Sequence, residues 1–78
     1  MRLINIQKCL KAKGIDFKYT ENDDCGGIDF IYKGLRYHVW EYPEPERGAE
    51  SNVRGKGRSE EFNEGYEEEI LAIIEERF

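Results

Sequence analysis

The sequence predicts an α+β domain of order α-β-β-β-α, a three-stranded antiparallel meander with two helices packed on one face. Three features carry this expectation. Apolar residues recur at helical spacing near both ends, alternate with period two between Ile15 and Tyr42, and are interrupted at Lys33-Gly34 by a two-residue turn. With 78 residues the chain holds one domain at most. So small a core leaves little room for a deep pocket, and a ligand site is expected on a face or in a shallow groove.

Residues 3–13 read as an amphipathic helix. Leu3, Ile6 and Leu10 form its stripe, Cys9 lies at the edge, and Lys8 and Lys11 lie opposite. Gly14 supplies a residue able to end it in the left-handed conformation. Over residues 15–20, Ile15, Phe17 and Tyr19 alternate with Asp16, Lys18 and Thr20, the pattern of a half-buried strand. The stretch ENDDCGG reads as a loop by composition. Second and third strands are expected over 28–33 and 35–42, the latter ending at Pro43, which cannot donate to a ladder.

A turn at Lys33-Gly34 fixes the register. Tyr32 then faces Leu35, Phe30 faces Tyr37 and Ile28 faces Val39, and these define the core side. Asp29 faces His38 and Ile31 faces Arg36 on the other side, with Trp40, Tyr42, Lys18 and Lys33. A slip of one residue would exchange the two faces entirely. Residues 43–58, with two prolines, three glycines and no periodicity, read as a long loop. Ser59 followed by acids suits a helix N-cap, and Phe62, Tyr66, Ile70, Ile73 and Ile74 form a stripe over residues 60–77. Gly65 interrupts that pattern and allows the regular helix to begin at Tyr66.

The net charge of −5 is unevenly spread: residues 1–15 carry +4 and residues 60–78 carry −7. Two terminal helices of opposite sign are expected to lie side by side. Two cysteines, Cys9 and Cys25, are too few for a disulfide scaffold and read as reduced thiols. No run approaches the ~20 apolar residues of a membrane span, and the N-terminus lacks a secretory h-region. A cytoplasmic protein is expected.

Three readings of function follow. The first rests on RYHVWEY, which contains the only histidine and the only tryptophan. Ile31, Arg36, His38, Trp40 and Tyr42 share one side of the sheet, a composition typical of interaction hot spots. With loop 43–58 they would bind a protein partner, a second copy of the chain or a small ligand. The second reading takes Lys8, Lys11, Arg54, Lys56 and Arg58 as contacts to a nucleic-acid backbone, RNA above all. The net charge and the flanking glutamates weigh against it. The third is a cryptic enzyme using His38 with Cys25 or Asp29. No cofactor motif and no metal-ligand spacing is present in the sequence.

The order of elements resembles that of double-stranded-RNA-binding domains and of the small HicA-type mRNA interferases that share their fold. The resemblance implies RNA contacts from helix 1, the first hairpin loop and the start of helix 2. The matching places are Lys8 and Lys11, ENDDCGG, and RGKGRS; the middle one is acidic, and helix 2 begins SEEFNEG where that family has consecutive lysines. HicA-type proteins carry a histidine soon after a glycine at the second strand, where this chain has CGGIDF. The stretch GLRYHVWEYPEPERGAESNVR is similar in character to small bacterial proteins of unknown function.

Overall fold

The computed structural model describes residues 1–43, 46–55 and 57–78. The elements are α1 (Ile4–Ala12), β1 (Phe17–Asn22), β2 (Cys25–Tyr32), β3 (Leu35–Glu41), β4 (Ala49–Ser51), β5 (Glu60–Phe62) and α2 (Tyr66–Arg77). The strands form one antiparallel meander in sequence order. The α+β class, the antiparallel meander and the two flanking helices therefore stand as read from the sequence, and the sheet runs on by two short strands.

The β2–β3 hairpin turns on Lys33 (φ 51°) and Gly34 (φ 80°), and its register pairs Phe30 with Tyr37, Asp29 with His38 and Ile31 with Arg36. A turn with two left-handed residues matches the twist of the strands it joins, so the Lys-Gly pair settles the alignment. The ENDDCGG stretch departs from its loop reading. Only Asp23 (φ 49°) and Asp24 (φ 62°) form the turn, and β1 and β2 extend to meet it. Asp tolerates the left-handed region, so two residues suffice where composition suggested seven.

Residues 43–58 also differ from expectation. Ala49–Ser51 pair with β3 on one side and with β5 on the other. Ala49 and Ser51 are buried, and their small side chains gave no apolar signal. Beyond β4, Asn52 replaces a strand residue: its Oδ1 accepts the His38 backbone N–H at 2.9 Å and its Nδ2 donates to the Arg36 carbonyl at 3.0 Å. Residues 60–62 are strand, not helix, and Ser59 does not cap α2. Gly65 (φ 78°) takes the N-cap position instead, and Glu67, Glu68 and Glu69 complement the helix dipole.

Strand alternation divides the sheet into two faces. Ile28, Phe30, Tyr37, Val39, Ala49 and Phe62 point inward and join Leu3, Ile6, Leu10, Val53, Ile70 and Ile74 in a single buried cluster. Both helices thus cover the inner face, and each fully buried aliphatic side chain contributes about 2 kcal/mol through burial. Phe78, just past α2, seals the turn end of the core against Tyr32, Tyr37 and Phe30 at 4.9, 4.8 and 5.6 Å between ring centroids. Leu35 lies on the inner side by register but is 61% exposed, because it flanks the hairpin turn. Among the described residues, no helix is long and apolar enough to cross a membrane.

Candidate binding surface

Among the described residues, no helix covers the outer face. Across it the registers align Thr20, Gly27, Trp40, Glu50 and Glu61 in one row, with Lys18, Asp29 and His38 in the next. Ile31 and Arg36 follow toward the hairpin turn, and Tyr42 continues the β3 stripe at the other end. The sheet thereby brings Ile31, Arg36, His38, Trp40 and Tyr42 onto one side, as parity requires. Within 43–58, Ala49–Ser51 run beside β3 as β4, and Trp40 is 43% exposed; Ile31 is 59% exposed.

Trp40 is held flat by three neighbours. Its ring stacks on His38 with centroids 4.0 Å apart and planes at 25°. Its indole N–H donates to Asp29 Oδ1 at 3.3 Å, and its register partner Gly27 has no side chain to push it away. Thus the indole is pre-oriented, and little rotamer freedom remains to be lost on contact. Tyr42 sits at the upper end, its hydroxyl donating to Glu61 Oε1 at 3.4 Å. Partial burial, then the carboxylates of Glu61, Glu50 and Glu46, hold its phenol above the ordinary range.

His38 meets two partners through one nitrogen. Nε2 lies 3.0 Å from Ser59 Oγ and 3.4 Å from Glu50 Oε2. Serine, histidine and acid are all present, but a nucleophilic triad needs the serine and the acid on opposite ring nitrogens. Here they share one, so the carboxylate cannot orient the ring for proton transfer from the hydroxyl. Asp29 faces His38 in register, yet its carboxylate accepts from the Trp40 indole. Cys25 lies four residues along β2 from Asp29, about 13 Å at strand rise, and its thiol contacts the Asp23 carbonyl at 3.7 Å. Cys25 is therefore remote from His38, and Asp29, though opposite it, forms no ion pair with it among the described residues. Among the described residues, no three His, Cys, Asp or Glu side chains gather as a metal ion would require.

The basic set is dispersed. Lys8 and Lys11 are exposed on α1, and Arg58 is exposed beyond β4. Arg54 is already engaged: it pairs with Glu60 at 3.2 Å and Glu69 at 2.7 Å and lies over the Phe62 ring at 5.1 Å. Lys56 lies outside the described residues.

One polar cluster was missed by the sequence reading. Glu41 belongs to the inner side of β3, and its side chain is only 4% exposed. Arg2 donates to it at 2.5 and 3.2 Å, the Gly26 N–H donates at 2.7 Å, and the Tyr66 hydroxyl donates as well. Burial pushes the Glu41 carboxyl up, but the hydrogen bonds from Arg2, Tyr66 and Gly26 outweigh it and hold the group below the usual carboxylate range. Gly26 eases this approach, since a Cβ there would stand 3.1 Å from Arg2 Cβ and 3.2 Å from Glu41 Oε1, close enough to press on both. The cluster is fully satisfied, which marks it as a clasp joining the N-terminus, β2, β3 and α2. Strand parity was the available signal, because it placed a carboxylate among core residues.

No family model matches this chain, and no match was found among curated proteins or among solved structures.

Proposed function

We propose that this chain is an interaction domain that docks a protein partner on the outer face of its sheet. Trp40, Tyr42 and Ile31 provide the apolar contact, Arg36 provides a directional donor, and His38 holds the indole in place. The observation that carries this reading is the exposure of Trp40 and Ile31 on a sheet face that no helix covers among the described residues. Leaving about half of a tryptophan and of an isoleucine in water forgoes about 1 kcal/mol of burial each. Tryptophan, tyrosine and arginine, all present on this face, are also the residue types that most often dominate binding energy at protein interfaces. The grooves on the surface are open and shallow, which suits a broad contact better than an enclosed small molecule. The phosphate-backbone reading loses force because Arg54 already neutralises two glutamates.

Comparative capture tests the proposal. Tagged wild type, an outer-face variant (Ile31→Asp with Trp40→Ala) and a helix-face variant (Glu68→Gln with Glu76→Gln) are used on the same extract. Any differential protein is then purified and titrated against the chain. The expected result is a partner that binds wild type and the helix-face variant and is lost with the outer-face variant. A partner set unchanged by the outer-face substitutions refutes the reading.

A further inference from the structure

The outer face is not uniform in charge. Its β1 side and its turn end carry Lys18 and Arg36, whereas the β3–β5 half, away from the turn, carries acids and aromatics. There Trp40, Glu50 and Glu61 stand side by side on adjacent strands, about 4.8 Å apart. Asp29 holds one end of the Trp40 indole, and Glu46 borders the groove beside Tyr42. The same groove contains Arg47, but that guanidinium pairs with Glu64 at 3.9 Å.

Resting on the reading of this face as a docking surface, we propose that its occupant is a basic segment of another protein, arginine- or lysine-bearing, seated across Trp40, Tyr42, Glu50 and Glu61. The chemistry is complementary in two ways. An indole face and a phenol attract a guanidinium or an ammonium through their quadrupoles. Carboxylates beside them accept the donors that such a cation carries, and a planar guanidinium can stack and donate together. Glu61 accepts one long bond, from Tyr42 at 3.4 Å, and among the described residues the one polar partner of the Glu50 carboxylate is His38, at 3.4 Å. Both therefore retain acceptor capacity toward an incoming donor. A nucleic-acid backbone would meet like charge from Glu46, Glu50 and Glu61 over the same area, where the nearby Arg47 already pairs with Glu64.

The test uses the full chain labelled with 15N and a synthetic nonapeptide of alternating arginine and serine, with an aspartate–serine peptide as control. Titrations at about 50 mM and about 300 mM salt change the screening length enough to expose an electrostatic contact. The expected result is a shift of the Trp40 indole N–H and of the Tyr42, Glu50 and Glu61 amides with the arginine peptide alone, weakening about tenfold at the higher salt. Glu50→Gln with Glu61→Gln should weaken binding at least about tenfold. Glu68→Gln with Glu76→Gln removes the same charge from α2 and should leave it within about twofold.

Shifts centred on α2, or equal weakening by the two double variants, would reduce the effect to general acidity and overturn the proposal. Absence of binding at the lower salt overturns it too, as does preferential binding of an oligonucleotide. Concentration-dependent shifts at Lys8 and Lys11 without peptide would identify a second copy as the occupant instead. If a captured partner depends on the outer face while the arginine peptide neither binds nor competes, the basic-segment inference fails and the docking reading stands.

Discussion

Replacing Glu41 by glutamine probes how much of the fold hangs on one buried carboxylate. In the native protein that group accepts two bonds from Arg2, one from the Gly26 N–H and one from the Tyr66 hydroxyl. Glutamine keeps the shape and one carbonyl oxygen, but it turns the second oxygen into an amide that faces donors. Hydrogen bonds to charged groups contribute about 1.5–3 kcal/mol each. The Arg2 side chain is 44% exposed, so water screens its share and the sum must be discounted. We therefore expect Glu41→Gln to cost about 2–3 kcal/mol at neutral pH, a large fraction of what so small a domain has. The sign of the pH dependence follows from the lowered carboxyl. A glutamate titrates near 4.3 when unfolded, so the contribution of Glu41 is fully present above that value and is lost as the pH falls through the lower folded value. Urea unfolding followed by circular dichroism, at about pH 7 and about pH 3, reads both effects. A difference between wild type and variant below about 0.5 kcal/mol at neutral pH, or one that does not shrink in acid, would refute the clasp as described.

Other substitutions test separate joints. Gly48→Ala should destabilise by about 3 kcal/mol or prevent folding: Gly48 has φ 129°, and a Cβ would stand 2.2 Å from the Phe62 carbonyl oxygen. Near-native stability in denaturant would contradict the β4–β5 pairing. Asn52→Ala should cost about 2 kcal/mol, because it orphans the His38 N–H and the Arg36 carbonyl at the end of β4; hydrogen exchange at His38 should rise with it. Phe78→Ala should cost about 2 kcal/mol and alter the shifts of Tyr32 and Tyr37, since three rings lose their common neighbour. Unchanged shifts there would show that the terminal ring does not pack on the core.

What was legible in the sequence was whatever local chemistry determines. Lys33-Gly34 is enough to set the β2–β3 register, and register alone puts Trp40 and His38 on one side and Tyr37 and Val39 on the other. The helical stripes named Leu3, Ile6, Leu10, Ile70 and Ile74 correctly as core, since burial follows their spacing. Short strands were not legible. Ala-Glu-Ser and Glu-Glu-Phe have low β propensity, and their pairing depends on β3 being already in place. The expected N-cap at Ser59 failed for a related reason. Phe62 fits the α2 stripe by count, but it is buried as the inward residue of β5 opposite Ala49. For the candidate surface, the face itself was readable. Its acidic half was not, because Glu50 and Glu61 reach Trp40 only through β4 and β5. The Arg2–Glu41 pair spans 39 residues, and no local pattern announces a contact of that range.

The sole tryptophan offers the most direct test of the central claim, that the outer face is open in the free chain and covered on binding. Acrylamide quenching of Trp40 fluorescence is measured with the chain alone, over a dilution series, and with a captured partner added. We expect ready quenching at every dilution of the free chain and marked protection once the partner binds. A shielded Trp40 in the free chain, or quenching unchanged in the complex, would contradict the account.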